Sequence, residues 1–296
     1  MFDPYFIIII GSVIDGLVLG GIYLLISLGL SLIYGVAGIL NVSHGDMVML
    51  AGLLTFFISN AIGLQLLGVV IATTVIMPLF LIIGILLYYC LIRPLTKRTK
   101  QELLIGSILI TLGLSFLLQD LAATVFGTLP RSVYIGFEPI KLGELVVPFF
   151  RLATFIIIVV IAFFIWIFLK YTFTGMAMRA VTNNREVALS LGIPIDITAA
   201  MTFGAGTVLA ALGGILYLAN GFPITPFVGL SLTVKALTVM VIGGAGKLIG
   251  TVIGAVILGI AETLTGAVIS FYWAPAISIL LLLIVLVIKP KGILGE

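Results

Sequence analysis

The sequence predicts an all-α protein, a polytopic bundle of about eight transmembrane helices plus one or two short or broken ones, and three observations predict it. Only 8% of the 296 residues are charged against 62% hydrophobic, whereas a soluble domain carries about a quarter charged residues and needs them to cover its surface. The mean hydropathy of +1.41 leaves lipid as the solvent. Polar or Pro/Gly-rich breaks also divide the chain into apolar runs, most of them near the ~20 residues that carry a helix across hydrocarbon.

The first run, 5–34, has no Lys or Arg ahead of it and is too long for a cleavable signal peptide, so it is expected to persist as the first span. Runs 66–92, 103–124, 149–169, 197–218, 248–269 and 275–288 supply further spans. Two others, 47–62 and 233–242, are short and Gly-bounded, as the broken or re-entrant helices of transporters are, and such backbone breaks must line protein or water. The breaks share a spacing: Gly35, Ala37, Gly38 and Leu40 recur as Gly243, Ala245, Gly246 and Leu248. An internal repeat accounts for this, and so does chance in a chain with 34 glycines. The longest connection, 127–148, carries Pro130, Pro139 and Pro148 and reads as either a short hairpin or an interfacial helix.

Basic residues set the orientation. Arg93, Lys97, Arg98 and Lys100 cluster in one loop, Lys170, Arg179 and Arg185 in a second, Lys247 in a third, and Lys289 with Lys291 in the tail. The span count puts all four on one side, expected to be the cytoplasm. The intervening loops hold only Arg131, Lys141 and Arg151 against Glu138 and Glu144, which places them and the amino terminus outside and the carboxyl terminus inside.

The inventory for catalysis is thin. There is one histidine, His44, and one cysteine, Cys90, so neither an intrachain disulfide nor a cysteine metal site can form. No zinc-protease, nucleophile-elbow or Walker pattern occurs. The stretch from Gly243 to Lys247 loosely imitates a phosphate loop, but Leu248 stands where Ser or Thr would bind magnesium. The expectation is a chain with no catalytic residue, no metal and no ATP hydrolysis of its own.

Asp15, Asp46, Asp120, Lys235 and Glu262 lie within apolar runs, where an ionisable group costs about 2.5 to 3.5 kcal/mol and is expected to face the bundle interior. Each is either a partner that holds helices together or a pathway group. The hexapeptide Asn41-Val42-Ser43-His44-Gly45-Asp46 separates two apolar runs, and its Asn, Ser and Asp can cap a helix starting near Met47. A lone imidazole cannot chelate a metal, so His44 is expected to hydrogen-bond a helix break. Half-helix ends often line solute routes. This makes Asn41, Ser43, His44, Gly45 and Asp46, with Gly243, Gly244 and Gly246, the candidate pathway or helix-break residues. In the polar stretch 171–196, Asn183 or Asn184 can cap a helix from Arg185, with Val187, Leu189 and Leu191 as apolar contacts and Gly192 and Pro194 as its stop. Such a helix is either interfacial or a docking element for a soluble partner.

These residues together resemble a known family, the integral membrane permeases of ABC importers for branched-chain amino acids (the Liv-type inner-membrane permeases). The resemblance covers nearly the whole chain. It rests on Gly16, Gly20, Gly21, Tyr23, Gly29, Leu30, Tyr34 and Gly35, on NVSHGDMVMLAG at 41–52, on the loop from Arg179 to Ile193, and on GGAGKLIGTVIGAVILG at 243–259. It implies one transmembrane permease domain over 1–296 in the cell inner membrane. Arg179, Arg185, Glu186, Ala188, Gly192 and Ile193 would couple to the ATPase, with Val187 standing where the general pattern has Ala. The implied partners are a second homologous permease, two cytoplasmic ABC ATPase subunits that use ATP and magnesium, and an external or periplasmic substrate-binding protein, with membrane lipid around them. No nucleic acid partner and no cofactor on this chain are expected. The implied cargo is leucine, isoleucine and valine. Alternatives are a related permease for urea or short amides, or an ion-coupled secondary transporter working through Asp46, Asp120 or Glu262.

Overall fold

The computed structural model describes residues 4–142, 145–244, 246–289 and 292–293. Glu144, Ala245 and Lys291, which enter the loop and repeat readings above, lie outside the described residues. In chain order the elements are α1 (Pro4–Ala37), α2 (His44–Ile62), α3 (Gln65–Leu87), α4 (Lys100–Phe126), a hairpin of β1 (Ile140–Leu142) and β2 (Leu145–Val147), α5 (Phe149–Tyr171), α6 (Phe173–Asn183), α7 (Arg185–Ser190), α8 (Ile195–Ala219), α9 (Gly229–Gly243), α10 (Leu248–Val268) and α11 (Ala274–Ile288). A π-helical turn, Tyr88–Ile92, and a 3₁₀ turn, Arg93–Lys97, prolong α3. Cys90 is exposed in that π turn.

Among the described residues seven helices are long and apolar enough to span: α1 to α5, α8 and α10. Helices α9 and α11, of 15 residues each, are shorter apolar pieces. The bundle is therefore all-α in its spanning part, as expected, with two changes of detail. The run taken as short, 47–62, is a helix of 19 residues, because His44, Gly45 and Asp46 are buried in its first turn rather than left in a loop. The last run, expected as a full span, is short, like α9. The connection 127–148 carries the hairpin, in which Ile140 faces Val147. Isolated bridges from Arg131 to Ile224 and from Tyr134 to Asn220 bind this connection to the segment after α8.

Helices α1 and α8 are mostly buried at the centre, while α3, α4 and α5 show most of their surface. Within lipid, helices associate by close packing of small residues rather than by a hydrophobic drive, and α1 does this against α10. A Cβ at Gly20 would lie 2.6 Å from the Ala255 carbonyl oxygen, so only glycine permits the approach. The four basic segments gather at one end. Arg93 Nε is 3.2 Å from Asp196 Oδ2, the amide of Gly246 donates to Ser31 Oγ on α1 at 2.9 Å, and the amide of Ile293 donates to the Ile242 carbonyl at 2.8 Å. The other end holds the hairpin, Arg131 on Ile224 and the ion pair of Arg151 with Asp15.

Candidate functional site

After α1 the chain reverses at Gly38, whose φ of +67° suits glycine, and α2 begins inside the bundle. The His44 ring nitrogen Nε2 lies 2.9 Å from the Ile26 carbonyl in the interior of α1. Helix α9 begins inside as well, and the two amino-terminal ends meet. The Gly45 amide donates to Thr233 Oγ1 at 2.8 Å, and Thr233 Oγ1 donates to the Val42 carbonyl at 2.8 Å. The Asp46 carboxylate occupies the space that a Cβ on Gly229 would need. Helix α4 closes the third side: the Val42 amide donates to Thr111 Oγ1 at 3.0 Å, and Gln119 Nε2 donates to Asp46 Oδ1 and Ser115 Oγ, both at 3.0 Å. Broken backbone in a membrane must find its hydrogen bonds inside the protein, and threonines of α4 and α9 supply them here.

Asn41, Ser43, His44 and Asp46 are all fully buried. Ser43 stands at the cap position of α2 without capping it, since its hydroxyl donates to Asn41 Oδ1 at 2.8 Å instead. The helix therefore starts at His44 and not near Met47. Because Nε2 of His44 faces a carbonyl it carries the proton, which leaves Nδ1 as an acceptor. Both Nδ1 of His44 and Oδ2 of Asp46 lack a partner among the described residues.

The second glycine break lies elsewhere. Gly244 and Gly246 take φ of +91° and +80° between α9 and α10, at the basic end of the molecule. Gly243, Gly244 and Gly246 are thus not brought to Asn41 and Asp46. Gly246 instead borders a cavity of about 300 Å³ lined by Ser31, Gly35, Arg179, Thr182 and Asn183 among others. Gly38 and Gly246, which occupy the same position in the shared glycine spacing, both take the left-handed conformation.

The loop 172–194 folds as α6 and α7. Asn184 Oδ1 accepts from the amides of Glu186 and Val187 at 3.0 and 3.1 Å, a side-chain cap read correctly from the sequence. Gly192, at φ +78°, turns the chain out of α7, and the Ile193 amide donates to the Ala188 carbonyl at 3.0 Å. Ala188 faces inward at 1% exposure, while Val187, Leu189 and Leu191 are 53%, 57% and 74% exposed. Arg179, Arg185 and Glu186 are exposed as well, with Arg179 Nη2 donating to the Lys170 carbonyl at 3.1 Å. The result is a capped helix with exposed apolar side chains on either side of Ala188 and at its carboxyl end, edged by charge.

The ionisable residues in apolar runs divide. Asp46 is at the junction. Lys235 and Glu262 pair at 2.9 Å, Tyr23 donates to Glu262 Oε2 at 2.7 Å, Lys235 donates to Tyr23 at 2.8 Å, and Ser278 donates to Glu262 Oε1. That network is satisfied at every atom of Glu262 and joins α1, α9, α10 and α11. Asp15 lies half-buried with Arg151. Asp120 corrects the expectation of burial: α4 turns Gln119 inward and leaves Asp120 on the exposed face. Thr111, Ser115, Gln119 and Thr233 were not singled out from the sequence. The signal for three of them was there, a polar residue every fourth position at Ser107, Thr111, Ser115 and Gln119 in an otherwise apolar run.

A many-helix bundle whose polar groups converge where α2 and the short α9 begin, with a structured loop at its basic end, has the build of a solute permease. The chain belongs to the family described as branched-chain amino acid transport system / permease component, whose model matches residues 12–288. It is 29% identical to the high-affinity branched-chain amino acid transport system permease protein LivH of Salmonella typhimurium, over 98% of this chain and 97% of that one. It is 26% identical to the corresponding BraD of Pseudomonas aeruginosa, over 96% and 95%. A fructose import permease protein, FruG of Bifidobacterium longum, is 26% identical over 86% and 82%.

Proposed function

We propose that this chain is the membrane-spanning subunit of an ATP-driven ABC importer that passes leucine, isoleucine and valine into the cytoplasm after an external binding protein hands them over. The observation that carries this reading is α7, a capped helix showing Val187, Leu189 and Leu191 beside Glu186 at the basic end of a membrane bundle. Leucines and valines exposed on a polar loop, held by an asparagine cap and a glycine stop, suit a protein partner. Similarity to LivH and BraD over nearly the whole chain supports the cargo.

In this account the whole of 1–296 is one permease domain, paired with a second homologous permease and with two cytoplasmic ATPase subunits that use the ATP and magnesium. Arg179, Arg185 and Glu186 meet the ATPase, Ala188 and Ile193 anchor α7 to the bundle, and Gly192 sets its angle. Differential contact of α7 with the two states of the motor drives alternating access. The basic end is cytoplasmic and the hairpin end external. The Asn41 to Asp46 junction lies along the route, and Gly243, Gly244 and Gly246 form the bend between α9 and α10 that borders the coupling loop.

Purification from native membranes in mild detergent tests the partnership. The expected result is that ATPase subunits accompany the wild type and are lost with Glu186→Arg or Gly192→Arg, while the variants keep the melting temperature of the bundle. A chain that purifies alone in every case contradicts it.

A further inference from the structure

We infer that the seam between α4 and the α2–α9 junction is the wall of the solute path, and that Asp46 is the group in it that meets the ammonium of the amino acid. The inference rests on the amino acid permease reading above and adds residues to it. Helix α4 is inverted relative to a soluble amphipathic helix. It turns Ser107, Thr111, Ser115 and Gln119 to the protein, all of them buried, and shows Leu109, Phe116, Leu117 and Val125 on its outer face. Its side-chain hydrogen bonds across the seam run to Leu40, Val42 and Asp46.

That construction makes the seam the weak line of the bundle. Parting an apolar contact in water exposes apolar area at a cost proportional to that area. Parting a hydrogen-bonded polar contact exchanges bonds between protein groups for bonds to water, which returns most of what is lost. Water and a zwitterion can therefore enter here more cheaply than between α1 and α8 or α10, where backbone touches backbone. Glu262 is also deeply buried, but Tyr23, Lys235 and Ser278 already occupy its oxygens. His44 presents its ring to α1, on another side of α2. Asp46 alone brings a carboxylate to the face that α4 covers, beside Gln119 and Ser115, with its Oδ2 lacking a hydrogen bond of good geometry among the described residues. An ammonium supplies both the N–H donors and the counter-charge that this carboxylate lacks.

The test uses the complete transporter reconstituted in liposomes, with Cys90→Ser as parent and single cysteines placed at Thr111, Ser115 and Gln119 on the seam and at Leu109 and Leu117 on the outer face. A membrane-impermeant thiol reagent is expected to label the seam positions during ATP turnover and to spare the outer ones. Joining Val42→Cys to Thr111→Cys by a disulfide is expected to stop leucine uptake until a reductant is added. Asp46→Asn keeps the acceptor for Gln119 and is expected to raise the leucine KM by about tenfold or more, the scale of one lost charge-assisted hydrogen bond. Seam cysteines that stay unlabelled, labelling confined to Leu109 and Leu117, or full uptake across the joined seam each overturn the inference. A wild-type complex that takes up no amino acid overturns instead the reading it stands on.

Discussion

Lys235 and Glu262 show how a charge survives inside a bilayer. Each alone is costly there, yet the pair shares two hydrogen bonds with Tyr23 and one with Ser278. Breaking a buried pair by removing one partner typically costs about 3 to 5 kcal/mol, because the other charge is left unpaired. Lys235→Met is therefore expected to lower the melting temperature of the purified protein sharply, and the double variant Lys235→Met, Glu262→Leu to recover part of the loss. A double-mutant cycle in detergent checks this, and additive losses would show the two groups uncoupled. Both charges were visible in the sequence as residues out of place in apolar runs. Their partnership was not, since Tyr23 lies 239 positions from Glu262 and only the packing of α1 on α10 joins them. Gln119 and Asp120 teach the same lesson at closer range: neighbours on a helix point about 100° apart, and nothing local says which one faces the protein.

At the scale of elements, α7 was legible because its signals are local. Asn184 caps it and Gly192, with its left-handed φ, ends it. Asn184→Ala is expected to destabilise α7 by about 0.5 to 2 kcal/mol, seen as faster amide exchange in 185–190 with the membrane helices unchanged; slow exchange in that variant would mean packing, not the cap, holds α7. The start of α2 was not legible, because it depends on distant side chains. A helix end rich in Ser, His and Asp reads as a loop unless Thr111, Gln119 and Thr233 arrive to bury it. Thr233→Val removes the acceptor for the Gly45 amide and the donor to Val42. At about 1 to 3 kcal/mol for each buried group left unpaired, the variant is expected to unfold at lower temperature than the isosteric Thr73→Val, whose hydroxyl bonds only its own helix.

For the whole molecule, composition alone revealed the membrane bundle, and the count of basic residues revealed two unlike ends. The folded chain adds that the α6–α7 loop, the glycine bend after α9 and the tail share one end, while the junction of the α2 and α9 starts lies inside the bundle between the ends. The order of events this suggests runs from α7 through α6 and the bend at Gly246 to α9, whose other end meets Asp46. Its central claim is that a motor outside this chain works the bundle through α7. The most direct measurement is uptake of labelled leucine by liposomes containing the complete complex, with ATP supplied on the ATPase side and binding protein on the other, for the wild type and for Glu186→Arg. The account predicts uptake that requires both ATP and binding protein, abolished by Glu186→Arg in a complex whose bundle still melts normally. Uptake by this chain alone, driven by an ion gradient without ATP and unaffected by that substitution, would contradict it.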